Sequence, residues 1–317
     1  MFTFVEWWAP RSRNTRNRCR RDAQACYVSN AATRQRMPPH MSAILEKSAI
    51  QGMHVVRHAP RGPLASFVAE IVTAVRGPDA PPCHGRPDGH TVLVFQALHD
   101  RDDEAESAGL HAVGTQTSAW HKPAGTAEVS ICVHFRPGAA YPFFGVPLRE
   151  LMDDVVPLEE LWGREGRTLR EQLIEKRDIG SRVRLLEKKL YARLERADRV
   201  DLAQLQLVSH VTHLLARSPA PQTVSSIAKQ VGTSERQLRR IFDAAVGMSP
   251  KAFARLVRFH RAMRLAEHSA DPDWAAIAAE AGYYDQSHLI AECRRLTGTT
   301  PAAYLPTWAT AQGPRLT

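Results

Sequence analysis

The chain has 317 residues, and 42 Lys and Arg against 33 Asp and Glu give it a formal charge of +9. With 44% hydrophobic and 24% charged residues it has an ordinary globular composition, long enough for two or three domains. No apolar run reaches the ~18 residues of a spanning helix, no apolar core follows the N-terminal charges as in a secretory signal, and five scattered cysteines (Cys19, Cys26, Cys83, Cys132, Cys293) make no disulfide framework. Membrane, collagenous and disulfide-rich secreted classes are excluded, and a reducing cytoplasm is the expected compartment.

The charge is unevenly spread. Residues 1–40 carry eight Arg and two acids, whereas 41–217 carry 22 basic and 23 acidic residues. Residues 218–317 hold 12 basic and eight acidic residues, and within them 229–264 hold nine basic and two acidic. A near-neutral region followed by a compact basic one points to a polyanion partner for the C-terminal third. The aperiodic RSRNTRNRCRR (11–21) lies in a segment, 1–52, read as a disordered basic extension or as a start assigned too early, with Met37, Met41 or Met53 the working start.

From about 53 to 150 the pattern is strand-like. HTVLVFQAL (90–98) follows the turn signal RPDG, and AEVSICVHFRPG (127–138) alternates Val129, Ile131, Val133 and Phe135 before a Pro-Gly stop. Six of the 14 histidines fall between His84 and His134, yet none form the His-x-His pair that a metal site of the cupin kind needs. No metal and no cofactor are expected, and these histidines read as surface or packing residues. Pro82-Cys83-His84-Gly85-Arg86 is similar to the Pro-Cys-His-Arg site of DNA alkyl transferases, but a Gly interrupts it and the setting is a Pro/Gly-rich loop, so chance explains it better.

Residues 165–217 predict amphipathic helices. RVRLLEKKLYARLER places Leu186, Leu190 and Leu194 on one stripe, and a second helix follows the candidate N-cap Asp201. Such helices close the N-terminal core or pair two subunits, and the stripe does not decide between these. SPAPQ (218–222) breaks the pattern and is the predicted linker.

The last hundred residues hold an internal repeat. Ser234, Leu238, Phe242, Gly247, Ser249, Pro250 and Phe253 correspond, 51 positions on, to Asp285, Leu289, Cys293, Gly298, Thr300, Pro301 and Tyr304. Each unit reads as a helix-turn-helix. In the first, Ile227, Ala228 and Val231 form an apolar face, Gly232 suits the left-handed turn, and Ser234 caps the next helix with Gln237 at the box position. Leu238, Ile241, Phe242 and Ala245 face inward, while Arg236 and Arg240 face out with Arg239 on the flank, a set suited to guanine edges or phosphate. In the second unit Gly282 and Tyr283-Tyr284 make the turn and Asp285 caps, with His288 at the box position. Leu289, Cys293 and Leu296 face inward. Ser287, Ala291 and Arg294 face out beside Gln286 and Ile290, a less basic face suited to apolar contact with thymine methyls. Between the units, PKAFARLVRFHRAMRLAEH (250–268) is one continuous helical pattern about 27 Å long. It spaces two recognition helices by about one DNA turn, and Lys251 and Arg255 near its start are candidate phosphate contacts.

These residues resemble the DNA-binding domain of the arabinose-regulator (AraC/XylS) family. The likeness covers about 223–306 and rests on IAKQVGTSERQLRRIF, GMSPKAFARLVRFHRAMRL and GYYDQSHLIAECRRLTGTTPAAYL. It implies two helix-turn-helix subdomains that enter successive major grooves, with base contacts at Arg236, Arg239 and Arg240 and at Gln286, Ser287, Ile290 and Ala291. Ala291 stands where members usually carry Arg or Lys, and Cys293 where Phe is usual, which implies a weaker contact and a looser second unit. The run from HFRPGAAYPFFGVPLREL to DDVVPLEELWG is similar to sensor-type domains found before such modules, which are often cupin-like barrels.

The expected architecture is therefore α+β: a mainly-β, cupin-like N-terminal domain with helices at 53–217, a linker at 218–222, an all-α double helix-turn-helix at 223–306 and a tail at 307–317. The expected function is a cytoplasmic, sequence-specific transcription regulator and not an enzyme, with double-stranded promoter DNA as its partner. A small-molecule effector, RNA polymerase and a second copy of the chain are further partners this reading admits. The rival is a β-barrel enzyme, or an alkyl acceptor using Cys83, with an appended DNA-binding module.

Overall fold

The computed structural model describes residues 43–50, 52–80, 82–98, 107–122, 128–197, 202–217 and 222–310. The N-terminal strands are β1 (Ala43–Ile50), β2 (Met53–Ala59), β3 (Val68–Arg76), β4 (Cys83–Gly85), β5 (Val92–Leu98), β6 (Ser107–Val113), β7 (Trp120–Lys122), β8 (Glu128–Phe135) and β9 (Val155–Pro157). Seven of them make one antiparallel sheet in the order β1-β2-β3-β8-β5-β6-β9, and β4 pairs with β7 apart from it. Among the described residues β1 and β9 are the edges of the large sheet. The predicted cupin-like β domain is thus an antiparallel sheet faced by a two-stranded ribbon.

Period-two alternation divides the sheet into two faces. Ile71, Leu93, Phe95, Ile131, Val133 and Phe135 are fully buried on one face. They pack under α1 (Tyr141–Phe144), α2 (Leu158–Trp162), α3 (Arg164–Glu175) and α4 (Ile179–Arg196). Leu169 and Leu173 of α3 and Leu186 and Leu190 of α4 fill this core. Asp178 begins α4 by accepting from the Ser181 N–H at 2.7 Å. Burying five or six such side chains contributes on the order of 10 kcal/mol against chain entropy. The opposite face carries Val72, Ala74, Val92 and Val94, which do not meet the helices.

A second core begins earlier than the linker signal suggests. Helix α5 (Leu202–Arg217) turns Val208, Val211 and Leu215 into the same cluster as α6 (Val224–Gln230), α7 (Glu235–Val246) and α8 (Pro250–Glu267). The sequence break at 218–222 therefore separates two helices of one packed unit, because an amphipathic stripe does not say which neighbour it meets. A third cluster joins α8 to α9 (Trp274–Glu280) and α10 (Gln286–Thr297) through Ala262, Ala266, Ile277, Ala278 and Leu289. Helix α11 (Pro301–Thr310) closes the second core with Tyr304 and Trp308.

Two expectations change here. Residues 43–50, expected in the disordered extension, pair with β2, while residues 1–42 lie outside the described residues. The tail expected at 307–317 begins one turn too early: Trp308 has no exposed surface and meets the rings of Phe259 and His260. Around the turn RPDG, residues 85–90 are buried between the sheet and the C-terminal helices. The candidate cap Asp201 lies outside the described residues.

That burial makes a seam between the two halves. The Arg86 guanidinium lies 4.5 Å over the Trp308 ring and donates to the Trp308 carbonyl at 2.8 Å. His260, on α8, donates from Nε2 to the Pro87 carbonyl at 2.8 Å. Ala119 N–H donates to the Leu296 carbonyl, at the C-terminal end of α10, at 2.8 Å. Gly247, which ends α7 with φ 85°, approaches so closely that a Cβ there would stand 2.7 Å from Thr115 Oγ1 and 2.9 Å from the Leu148 carbonyl oxygen.

Candidate nucleic-acid interface

The local chemistry of both helix-turn-helix units follows from their caps. Thr223 opens α6 by accepting from the Ser226 N–H at 3.0 Å, and Gly232 turns the chain with φ 66°. Ser234 Oγ then accepts from the Gln237 N–H at 3.2 Å to start α7. In the second unit Asp273 accepts from the N–H groups of Ala275 and Ala276, Gly282 turns with φ 83°, and Asp285 Oδ1 accepts from the His288 N–H at 2.7 Å. Each bond satisfies a donor that the first helical turn leaves without an intrahelical partner. The box residues Gln237 and His288 enter these caps through their backbone; the His288 ring packs edge-on against Tyr283 at 5.2 Å.

Inward-facing residues fix which side is left outside. Leu238, Phe242 and Ala245 are buried in α7 and Leu289, Cys293 and Leu296 in α10. Arg236, Arg239 and Arg240 are consequently exposed on α7, with Arg239 paired to Glu235 one turn back. On α10, Gln286, Ser287 and Ala291 are exposed and Ile290 is half-buried. Cys293 is fully buried and its Sγ lies 3.5 Å from Thr297 Oγ1. The N-terminal half grips both recognition helices at their C-terminal ends, through Gly247 and Leu296. Their N-terminal turns, where the helix dipoles favour anions, are left to the solvent.

The spacer helix α8 is 18 residues long, ~27 Å, and its basic row divides in two. Lys251 is exposed. Arg255 is half-buried and its Nε points at the Glu292 carboxylate, 3.7 Å away, while Arg258 lies 4.7 Å over the Tyr283 ring. Arg255 thus joins the spacer to α10. Glu292 is 7% exposed and also accepts from Arg295 at 2.8 Å. Between the two units these groups border a groove of about 700 Å³, in which Arg239, Lys251, Arg255, Arg258 and Arg261 outnumber Glu235 and Glu292. This excess of cations is a field for a passing polyanion.

Glu292 escaped the sequence reading. It sits next to Cys293 on the flank of the apolar stripe, and the signal available was its i, i+3 spacing to Arg295. Tyr284, 93% exposed at the start of the second recognition helix, is the other feature that its neighbours did not announce. Burial holds the Tyr283 phenol well above its ordinary range. Among the described residues no group of three His, Cys, Asp or Glu side chains is gathered as a metal would require. Cys83 belongs to β4, but its side chain lies outside the described residues. No helix among the described residues is long and apolar enough to cross a membrane.

Comparison with known proteins matches two separate stretches of the chain. The family described as "Helix-turn-helix domain" matches residues 227–306, and a "Domain of unknown function" matches residues 56–157. No curated protein matches. Among solved structures, the chain is similar to a transcriptional regulator described with AraC-type DNA-binding domain-containing proteins from Chromobacterium violaceum, at 22% identity over 35% of this chain and 100% of that one, TM-score 0.32. It is similar to the DNA-binding domain of AdpA, a global transcriptional factor solved with a target DNA, at 26% identity over 33% and 91% of the two chains, TM-score 0.29. ToxT from Vibrio cholerae O395 is similar at 9% identity over 80% and 96%, TM-score 0.37. The doubled unit, its caps and the family match coincide: residues 227–306 match the helix-turn-helix domain family.

Proposed function

We propose that the chain regulates transcription by reading promoter DNA with α7 and α10 in successive major grooves, under the influence of its N-terminal half. The observation that carries this reading is the pair of capped helices fixed at the two ends of one rigid spacer, their reading faces exposed. Arg236, Arg239 and Arg240 present guanidinium forks suited to guanine O6 and N7, or to phosphate. Gln286 and Ser287 offer hydrogen bonds, and Ile290 and Ala291 offer apolar contact to thymine methyls. Lys251 meets phosphate. Arg255 acts at one remove, by holding α10 to the spacer through Glu292. We place the boundary between the halves ahead of α5, since α5 shares the second core. No step of this reading requires catalysis.

The test is a selection of random duplexes on the full chain, at low and at near-physiological salt. A fragment starting at 218 is unsuitable because it loses Val208, Val211 and Leu215 from the core. A recovered motif spanning two adjacent major-groove segments supports the reading. A motif confined to one segment removes α10 as a reader. Salt-sensitive binding with no motif overturns sequence-specific regulation and leaves only charge attraction.

A further inference from the structure

The turns of the two helix-turn-helix units differ by one residue. In the first, the Thr233 N–H donates to the Ala228 carbonyl at 2.9 Å, and the cap Ser234 follows directly. In the second, the Tyr283 N–H donates to the matching Ala278 carbonyl, also at 2.9 Å, and Tyr284 is interposed before the cap Asp285. Tyr284 therefore has no counterpart in the first unit. Its neighbours hold it in place. Tyr283 is 5% exposed, with the Arg258 guanidinium 4.7 Å over its ring and the His288 ring edge-on at 5.2 Å. Asp285, on the other side, is fixed by its bond from the His288 N–H. The backbone thus presents Tyr284 at the N-terminal end of α10 already ordered, which lowers the entropic cost of a contact there.

Tyr284 is 93% exposed, whereas no other large hydrophobic side chain among the described residues passes 48%. Single apolar residues are common on protein surfaces; this one is distinguished by its place. It adjoins Gln286 and Ser287, exposed on the end of the recognition helix that the N-terminal half leaves to the solvent. That end is also short of cations. Helix α7 carries Arg236, Arg239 and Arg240 in its first two turns, whereas residues 284–291 include neither Lys nor Arg. A helix end that enters a major groove has phosphates on its flank, and contacts to them fix its register. A phenol suits that position. Its hydroxyl donates to a phosphate oxygen, and its ring covers the deoxyribose with only two rotatable bonds to fix.

We infer, resting on the regulator reading above, that Tyr284 is a DNA-backbone contact of the second unit. Its hydroxyl donates to a phosphate at the lip of the groove that α10 enters, and its ring packs on the adjoining sugar. The extra turn residue thus gives a helix poor in cations an uncharged anchor, in contrast to the guanidinium groups of the first unit.

The experiment compares the full chain with Tyr284→Phe and Tyr284→Ala by fluorescence anisotropy, on a duplex recovered from the selection, on its single-base variants and on a random duplex at low salt. Tyr284→Ala should weaken binding about tenfold or more, and Tyr284→Phe about threefold or more. Both losses should be even across the single-base variants. The salt slope should stay as in wild type, because an uncharged phenol releases no counterion. Ethylating one phosphate beside the second major-groove segment should impair wild type more than Tyr284→Phe. Urea unfolding midpoints should match, since the ring stands almost wholly in water. Variants that bind the duplex as wild type does overturn the inference and turn the exposed ring toward a protein partner. A loss confined to one base pair makes Tyr284 a base reader and overturns the backbone assignment. A parallel fall in the unfolding midpoint makes its role structural and overturns it too. A backbone contact acts whatever the sequence, so the random duplex still reads it if the selection yields no motif. No motif together with that loss removes the regulator reading alone, and a motif with unaffected variants removes the Tyr284 contact alone.

Discussion

Acid should loosen the seam, and His260 gives the magnitude. Burial lowers its pKa from 6.5 to about 3; the Pro87 carbonyl and Asp88 act the other way, while Arg86 and Arg264 add to the lowering. The folded protein therefore keeps the ring neutral, whereas the unfolded chain takes up a proton once pH falls below 6.5. The stability this contributes is complete above 6.5 and is lost progressively as pH falls toward 3. Between pH ~7.5 and ~5 the loss is about 2 kcal/mol for this one group. His134 and His111, both lowered to about 4 by burial, each add about as much. The sum, roughly 6 kcal/mol, is comparable with the whole stability of an ordinary domain. His260→Gln keeps an amide donor for Pro87 but cannot titrate. Urea unfolding followed by far-ultraviolet circular dichroism, at both pH values, is the assay. The substitution should destabilise by about 1–3 kcal/mol at pH ~7.5 and reduce the acid loss by about 2 kcal/mol. An acid loss equal in wild type and variant would mean that His260 is solvated, and the buried seam would be refuted.

Arg240→Ala should weaken binding to a selected duplex by about 1–3 kcal/mol and relax preference at one base pair, measured by fluorescence anisotropy across a set of single-base variants. An even loss over all variants would instead make Arg240 a phosphate contact. Ser234→Ala removes the acceptor for the Gln237 N–H and should cost about 1 kcal/mol in urea unfolding, with DNA affinity falling because α7 frays. Arg255→Ala should lower stability by about 1–2 kcal/mol, since it takes one cation from a buried carboxylate, and adding Glu292→Gln should recover part of that loss. The salt slope of DNA binding should be unchanged in Arg255→Ala; a slope reduced by about one unit would restore Arg255 to the phosphate contacts.

The recognition module was legible because its signals are local. A cap, a left-handed glycine and the inward spacing of Leu238 and Phe242 all act within a dozen residues, and the repeat states them twice. The strands at 90–98 and 127–138 were legible for the same reason, since alternation is read along a single strand. What stayed hidden involves partners far apart in the chain. The stripe that holds Val208 is plain in the sequence, but its choice of the second core over the first is not. Arg86 and Trp308 stand 222 positions apart, and nothing near either residue foretells the other.

Residue order alone was enough to establish that the C-terminal third carries two helix-turn-helix units, which residues of each face out, and that these faces differ in charge. Hydrogen-bonding caps and helical periodicity are short-range and need no knowledge of the rest of the chain. Three-dimensional packing was needed to turn Arg255 to Glu292, to place Trp308 in the core, and to seat the N-terminal half against the C-terminal helices. Those arrangements depend on which surfaces exclude water from each other, and that is settled by close packing between distant segments.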